Sequence, residues 1–442
     1  VMVNRVWGHL LGEGLIRSVS DFGARGEEPT HPELLDYLAA QYQHDGWSTK
    51  RLIRSIVLSA AYRRASNASP EALAQDPENR LLSHMNRRRL DFESLRDSML
   101  LCAGRLDTTM GGKPISLTTI PADPRRTIYT YIERERPLPL LKIFDVADPE
   151  QHTPARGMTV VPQQALFLMN SPFLQEMSSS VDRAIGEHSD FAAELFRRVL
   201  ERDPSADERK LIGAVISGEG EREPSAAEPA TEPAWRYGAV SFDLEGGRVK
   251  EFRPFRYFTG GAWQPASMLP DAREGMASIT ASGGWPGDGL ASAVSRRWIA
   301  PRDMTVRVTS TLEQRRSQFA QRFQWTNGVR GSLISSRGGL VGQWLVDGPA
   351  KDAKIVDLDE SKAVANVESM SVKAGDTLDF VVDSRGDPEL DAFTWKIRIE
   401  DVAAKDAWDS ERDFKGPPVR PLTPRGRAAQ VLLMSNEFAF VD

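Results

Sequence analysis

The chain has 442 residues, 40% hydrophobic and 27% charged, with 56 basic against 62 acidic side chains and a net charge of −6. That length holds two or three domains of ~100–200 residues, each able to bury a core without disulfide or metal staples. No apolar run reaches the ~18–20 residues that span a bilayer, and the acidic balance argues against a nucleic-acid binder, which carries a basic excess.

Cys102 is the single cysteine, so no internal disulfide forms. Its scarcity leaves the redox compartment undecided. Val1-Met2-Val3-Asn4-Arg5-Val6-Trp7 lacks the basic region, apolar stretch and cleavage site of a signal peptide. It reads as a helix already under way, and the chain is expected to be a fragment of a longer protein.

Residues 1–220 carry helical periodicity. Thr30-His31-Pro32-Glu33 has the spacing of a capping box, followed by Leu34, Leu35, Leu38 and Tyr42 up to a stop at Asp45-Gly46. Ser48 is expected to cap a second helix with Leu52, Ile53, Ile56, Val57 and Ala60 on its apolar face. Asp91 opens a third, running through Leu95, Met99, Leu100 and Cys102 to Gly104. Further helices fit 161–185, 189–201 and 205–217. One short strand is expected at 127–132, where Ile128, Thr130 and Ile132 alternate with Tyr129 and Tyr131.

Residues 221–234 are rich in Glu, Pro and Ala with little to bury, which predicts a linker. The period then changes to two. Thr305–Thr309 and Phe393–Ile399 alternate polar and apolar residues, and glycines punctuate the β-branched runs between them. An all-β, jelly-roll-like sandwich is expected over 235–402. Tryptophan supports the division: Trp235, Trp263, Trp285, Trp298, Trp325, Trp344 and Trp395 fall in this region, against Trp7 and Trp47 in the first 220 residues.

Helical signal resumes within 403–442, after a return linker. AQVLLMSNEFAFVD at 429–442 echoes QALFLMNSPFLQE at 164–176. The expected fold is therefore α+β and multidomain: a mainly α-helical domain interrupted by a β-sandwich and closed by the C-terminal helix.

No strong catalytic signature is present. The histidines, at 9, 31, 44, 84, 152 and 188, form no HExxH motif and no His/Cys group, which argues against a protein zinc site. Arg5 and His9 lie one helical turn apart, with Asp21 and His31 following, and make a candidate acid–base set. A helix N-terminus at His31 would favour neutral imidazole, a usable base. The competing account is a good helix start and a structural ion pair.

Arg87 and Arg88, Arg125 and Arg126, and Arg156 supply forked donors that suit carboxylate or sulfate. Interleaved acidic residues make internal pairing the alternative. Trp263 and Trp285 sit in Gly/Pro-rich loops, GGAWQP and GGWPGDG, and make a candidate sugar platform. Asp383, Asp387 and Asp391 have oxygen-rich spacing that could hold calcium.

Several long motifs carry a resemblance. They are NRVWGHLLGEGL at 4–15, SDFGARGEEPTHPELLDYLA at 20–39, GWSTKRLIRSIVLSAAYRR at 46–64 and DPENRLLSHMNRRRLDFESLRDSML at 76–100. RRTIYTYIERERPLPLLKIFDVADPE at 125–150 and VPQQALFLMNSPF at 161–173 continue it. Together they resemble the planctomycete PSD-type domain of unknown function. LLMSNEFAFVD at the end and GDTLDFVVDSRGDPELDAFTW at 375–395 resemble that family's closing segment and its β-sandwich insert.

The resemblance implies a periplasmic or extracellular setting, and an upstream cytochrome c domain carrying haem. This chain has no CxxCH and no cofactor of its own is expected beyond the calcium candidate. Where the family shows paired arginines before TTVPQQAL, this chain has Ala155-Arg156 and then Thr159-Val160. The reading that follows is a non-catalytic scaffold and carbohydrate-binding part of a larger secreted protein of polysaccharide use. An acidic or sulfated polysaccharide would be its partner. The alternative is a polysaccharide-degrading or polysaccharide-oxidising enzyme with its site on the helical domain.

Overall fold

The computed structural model describes residues 1–23, 25–218, 233–243, 245–287, 291–314, 328–346, 362–385, 391–404, 406–418 and 421–441. Three helices open the chain: α1 (Met2–Leu11), α2 (Pro32–His44) and α3 (Thr49–Val57). Their apolar positions, among them Val3, Trp7, Leu38, Tyr42, Leu52 and Ile56, close on Leu11, Leu15 and Met85 as one small core. Buried Asn4 ties α1 to the loop after it. Its amide donates to the Ile16 carbonyl at 2.9 Å and accepts from the Ile16 N–H at 2.8 Å.

The expected capping box at Thr30 does not form. Pro32 starts α2 with His31 at the N-cap and no side-chain cap, because the Thr30 hydroxyl turns back to the Leu15 carbonyl and to His31 Nδ1. On α3, Leu52 and Ile56 are buried while Ile53 faces water, so the apolar face is narrower than expected.

A short helix α4 (Pro70–Gln75) and a two-residue strand β1 (Arg88–Arg89) lead to α5 (Phe92–Cys102), which Asp91 caps by accepting from Ser94 N–H at 2.7 Å. The expected strand at 127–132 is instead a single 3₁₀ turn, Thr127–Tyr129, with Thr130 in an isolated bridge to Ile115. Its alternation is real, but no partner strand is present to read it. Asp97 instead fixes Thr127 from α5, accepting from its N–H at 2.7 Å and its hydroxyl at 2.6 Å.

Next come α6 (Pro139–Ile143), α7 (Pro162–Asn170), α8 (Pro172–Ile185), α9 (Phe191–Leu200) and α10 (Ala206–Ser217). The single helix expected over 161–185 is two. Pro172 disfavours helix at Ser171, and the Ser171 hydroxyl then caps α8 by accepting from Leu174 N–H. A capping box does form, at Ser205 and Glu208 of α10.

The described chain resumes in fifteen strands. They are β2 (Trp235–Asp243), β3 (Arg248–Pro254), β4 (Tyr257–Phe258), β5 (Ala262–Gln264), β6 (Ser278–Thr280), β7 (Gly283–Trp285), β8 (Ala293–Ile299), β9 (Met304–Gln314), β10 (Val329–Ser335), β11 (Gly339–Val346), β12 (Lys362–Val364), β13 (Val367–Val372), β14 (Thr377–Asp383), β15 (Phe393–Asp401) and β16 (Ala407–Asp409). They form two antiparallel sheets. One runs β11-β10-β14-β8-β2-β3, the other β12-β9-β15-β7-β6-β5-β4, with β13 also on β9 and β16 on β15. Trp298, Trp395 and Phe380 fill the core shared by the sheets. That core runs past residue 402, since Trp408 and Phe414 also pack on it.

One charged side chain joins the two sheets from inside. Arg296 on β8 is fully buried, and its guanidinium donates to the carbonyls of Trp395 (2.8 Å), Thr280 (2.8 Å) and Gly283 (3.0 Å) on the facing sheet. Burial without a carboxylate lowers its pKa to about 10. At neutral pH it is still a cation, held by charge-assisted bonds.

The chain ends in α11 (Pro424–Leu433), α12 (Asn436–Ala439) and β17 (Phe440–Val441), which pairs with β1. Ala428, Ala429, Leu432, Leu433 and Phe438 are buried in one core with residues of α5 to α10. The two echoing segments do the same local job, each ending a helix at a serine that caps the next. The helical part thus has two separate hydrophobic cores, one from the first helices and one that the C-terminal segment completes.

Two outcomes are expected. Arg296→Met removes charge-assisted donors from the carbonyls of Trp395, Thr280 and Gly283, each such bond being worth about 1.5–3 kcal/mol. Denaturant unfolding should show a loss of about 3 kcal/mol or more. Separately, Arg202 and the Ser205 N–H hold the Glu208 carboxyl at about 2, and Arg202 also bonds Glu437 of α12. A carboxylate lowered by folding stabilises above its unfolded pKa of ~4.3 and loses that contribution as pH falls toward the folded value. The stability gap between wild type and Glu208→Gln should therefore be present at pH 7 and shrink by pH 3.

Candidate ligand pocket on the helical half

The chain from Ile132 to Gly157 is rich in Pro and Asp and carries few long helices. Pro137 lies in irregular chain and Pro149 in a turn, and α6 is only five residues long. Asp145, just beyond α6, is held at φ +55°, a left-handed conformation that Asp tolerates better than most side chains. Its carboxylate over-determines that geometry by accepting from the Thr159 N–H at 2.7 Å and its hydroxyl at 2.9 Å. Backbone held in this way clusters at functional sites.

Between these segments lies a pocket of about 360 Å³, inside the ~300–1,000 Å³ range of ligand sites. Ile132, Pro137, Val146 and Pro149 give it apolar walls, and Lys142, Asp145, Asp148, Thr153 and Arg156 supply polar groups. Arg156 is clamped by both oxygens of Glu93 at 2.8 Å, which keeps its fork in place. Lys142 is exposed and has no ion-pair partner among the described residues. Asp148 accepts from the Glu150 N–H at 3.0 Å. The site can therefore take one negative group against apolar surface.

Of the residues singled out in the sequence, Arg156 alone lines this pocket. Arg125 is turned inward: it donates to the carbonyls of Lys113, Thr109 and Gly111 and lies 4.1 Å over the Tyr129 ring. Arg126 pairs with Asp97 at 3.3 Å. Arg88 donates to the His9 carbonyl, and Arg87 to Ser66. These four serve internal bonds, as the interleaved acids and nearby carbonyls allowed.

Arg5, His9 and Asp21 are exposed and His31 is half-buried. No hydrogen bond or ion pair joins the four, and none of them lines a described cavity. The His31 ring meets the hydroxyl of its neighbour Thr30.

The two tryptophans do not share a face. Register places Trp263 in a row with Phe258, Ile279 and Gly284, whereas Trp285 lies in the next row opposite Ser278. Successive rows point to opposite faces. Trp263 is also engaged: it stacks 6.1 Å from Tyr237, lies 5.3 Å from Phe258 and donates to the Lys415 carbonyl at 2.9 Å. Trp285 is half-buried.

Both oxygens of Asp383 accept from Arg330 at 2.8 and 2.9 Å, and buried Asp391 accepts from Gln314. Asp387 lies outside the described residues. Among the described residues no three His, Cys, Asp or Glu side chains gather as a metal site. No helix among them is long and apolar enough to cross a membrane.

Sequence reasoning missed Lys142, Asp145 and Asp148. The signal was there in KIFDVADP, where one lysine stands among turn-forming acids and prolines.

No curated protein matches the chain in sequence. Solved structures offer only low likeness. The GH26-CBM35 β-(1,4)-mannanase of Podospora anserina is 9% identical, with a TM-score of 0.15 over 30% of this chain and 24% of that one. The β-glucosidase of Kluyveromyces marxianus is 9% identical, with a TM-score of 0.18 over 42% and 18%. The PA14 domain of the MpAFP antifreeze protein is 12% identical, with a TM-score of 0.17 over 42% and 93%. The match spans about a quarter or less of the two enzymes, and likeness this low bears on neither fold nor function. The helical stretch 1–216 matches the model of the family PSD1, described as a protein of unknown function (DUF1553).

Proposed function

We propose that this chain is a non-catalytic scaffold and carbohydrate-binding part of a larger secreted, cytochrome-associated protein of polysaccharide use, with its saccharide site in the 132–157 pocket. The observation that carries this reading is the unpaired Lys142 ammonium set among apolar walls in a pocket of about 360 Å³. Sugars present apolar C–H faces, which suit Ile132, Val146 and the two prolines. A carboxylate or sulfate on the ring would meet Lys142, with the Glu93-clamped fork of Arg156 beside it.

Binding fits the site better than chemistry does. Both oxygens of Asp145 are engaged by Thr159, and no His or Cys lines the pocket to complete a catalytic set. The secreted setting and the upstream haem rest on the motif resemblance of 4–173 alone. Trp263 contributes packing in this account, and the polysaccharide is acidic.

The test is titration calorimetry of the full chain with oligogalacturonate, a sulfated galactan oligomer and neutral mannohexaose. An acidic oligosaccharide should bind, and Lys142→Ala should weaken it roughly five- to tenfold, as expected for one hydrogen bond to a charged group at an exposed site. Raising salt should weaken wild type more than the variant. Equal affinity in Lys142→Ala, or binding of none of the three, overturns the reading.

A further inference from the structure

A second cavity lies where the helical core meets the segment that reaches the sandwich. It opens to the surface on one side and has a volume of about 130 Å³, close to that of an engineered cavity of ~150 Å³ that binds benzene. Three phenyl rings, Phe92, Phe167 and Phe173, line it together with Leu117 and Leu140. Phe92 and Phe167 stand edge-on to one another, 6.3 Å between centroids. Aromatic walls of this kind favour a planar guest, which can stack offset on one ring and meet another by its edge.

Four polar residues interrupt the apolar lining, and two of them are bonded elsewhere: Thr118 to the Ser116 hydroxyl and Ser171 to the Leu174 N–H. Arg96 closes one side. Its guanidinium donates to the Arg125, Asp123 and Thr127 oxygens, which takes three of its five N–H donors, and lies 5.2 Å from the Phe173 ring centre. Thr119 also lines the cavity and is 4% exposed, yet its hydroxyl has no hydrogen-bond partner among the described residues. Buried hydroxyls are almost always bonded, and an orphan of this kind asks for an explanation.

We infer that this cavity is a binding site for a small planar aromatic molecule carrying one polar atom, of the phenol class, with that atom bonded to Thr119 Oγ1. The ring fills the space between the phenyl groups, and the guest's hydroxyl satisfies the one unpaired polar atom. Aliphatic guests of the same volume satisfy only the walls. The cavity is separate from the saccharide pocket and shares no lining residue with it.

Titrations of phenol and toluene into the full chain, followed by ligand-observed NMR, test it. Both should bind, with phenol favoured about fivefold, the worth of one net hydrogen bond. Thr119→Val keeps the shape and removes the hydroxyl, so the preference should vanish while toluene still binds. Leu140→Phe narrows the cavity and should abolish both. The inference is overturned if neither molecule binds at millimolar concentration, if the preference for phenol survives Thr119→Val, or if Leu140→Phe binds both as wild type does.

Discussion

Buried guanidinium groups bonded to carbonyl oxygens hold this molecule together. Arg96 in the helical part fastens residues 123–127 by donating to the Asp123 and Arg125 carbonyls and the Thr127 hydroxyl, and burial lowers its pKa to about 10. Arg296 does the equivalent work between the two sheets. Neither has a carboxylate in direct contact. Irregular loops and sheet ends leave carbonyls that the backbone itself cannot satisfy, and the planar fork of arginine reaches two or three at once.

The joint between the halves depends on the first of these clamps. With 123–127 fixed, buried Asp123 accepts from Ser267 of the sandwich, and Ile120 exchanges two 2.8 Å backbone bonds with Phe258. Lys113 adds a bond to the Pro270 carbonyl at 2.9 Å. Arg125, itself bonded to carbonyls of 109–113, shapes the loop from which Lys113 reaches across. The arginines singled out in the sequence are thus mostly fasteners, and among them Arg156 stands beside the 132–157 pocket.

Periodicity made the larger architecture legible. Period-two runs at Thr305–Thr309 and Phe393–Ile399 lie in β9 and β15, the helical stretches recur as α2, α5, α9 and α10, and the echo at the C-terminus returns to the helical core. Local misreadings have local causes. Pro172 splits one helix, Thr30 finds a backbone carbonyl in place of a cap, and 127–132 alternates without a strand beside it. The sites were harder to read because pairing is decided in three dimensions: Trp263 and Trp285 are 22 residues apart in sequence yet on opposite faces, and Arg330 reserves Asp383. KIFDVADP marked a turn-rich segment with one lysine, but that Lys142 lacks an ion-pair partner is decided only by the fold.

The account's central claim is that recognition belongs to the helical half and that Trp263 of the sandwich serves packing. Hydrogen exchange of the full chain, with and without saturating acidic oligosaccharide, tests it most directly. Added protection is expected across 137–157, with β5 to β7 unchanged. Protection confined to the strands carrying Trp263 and Trp285, with 137–157 exchanging as before, would contradict it.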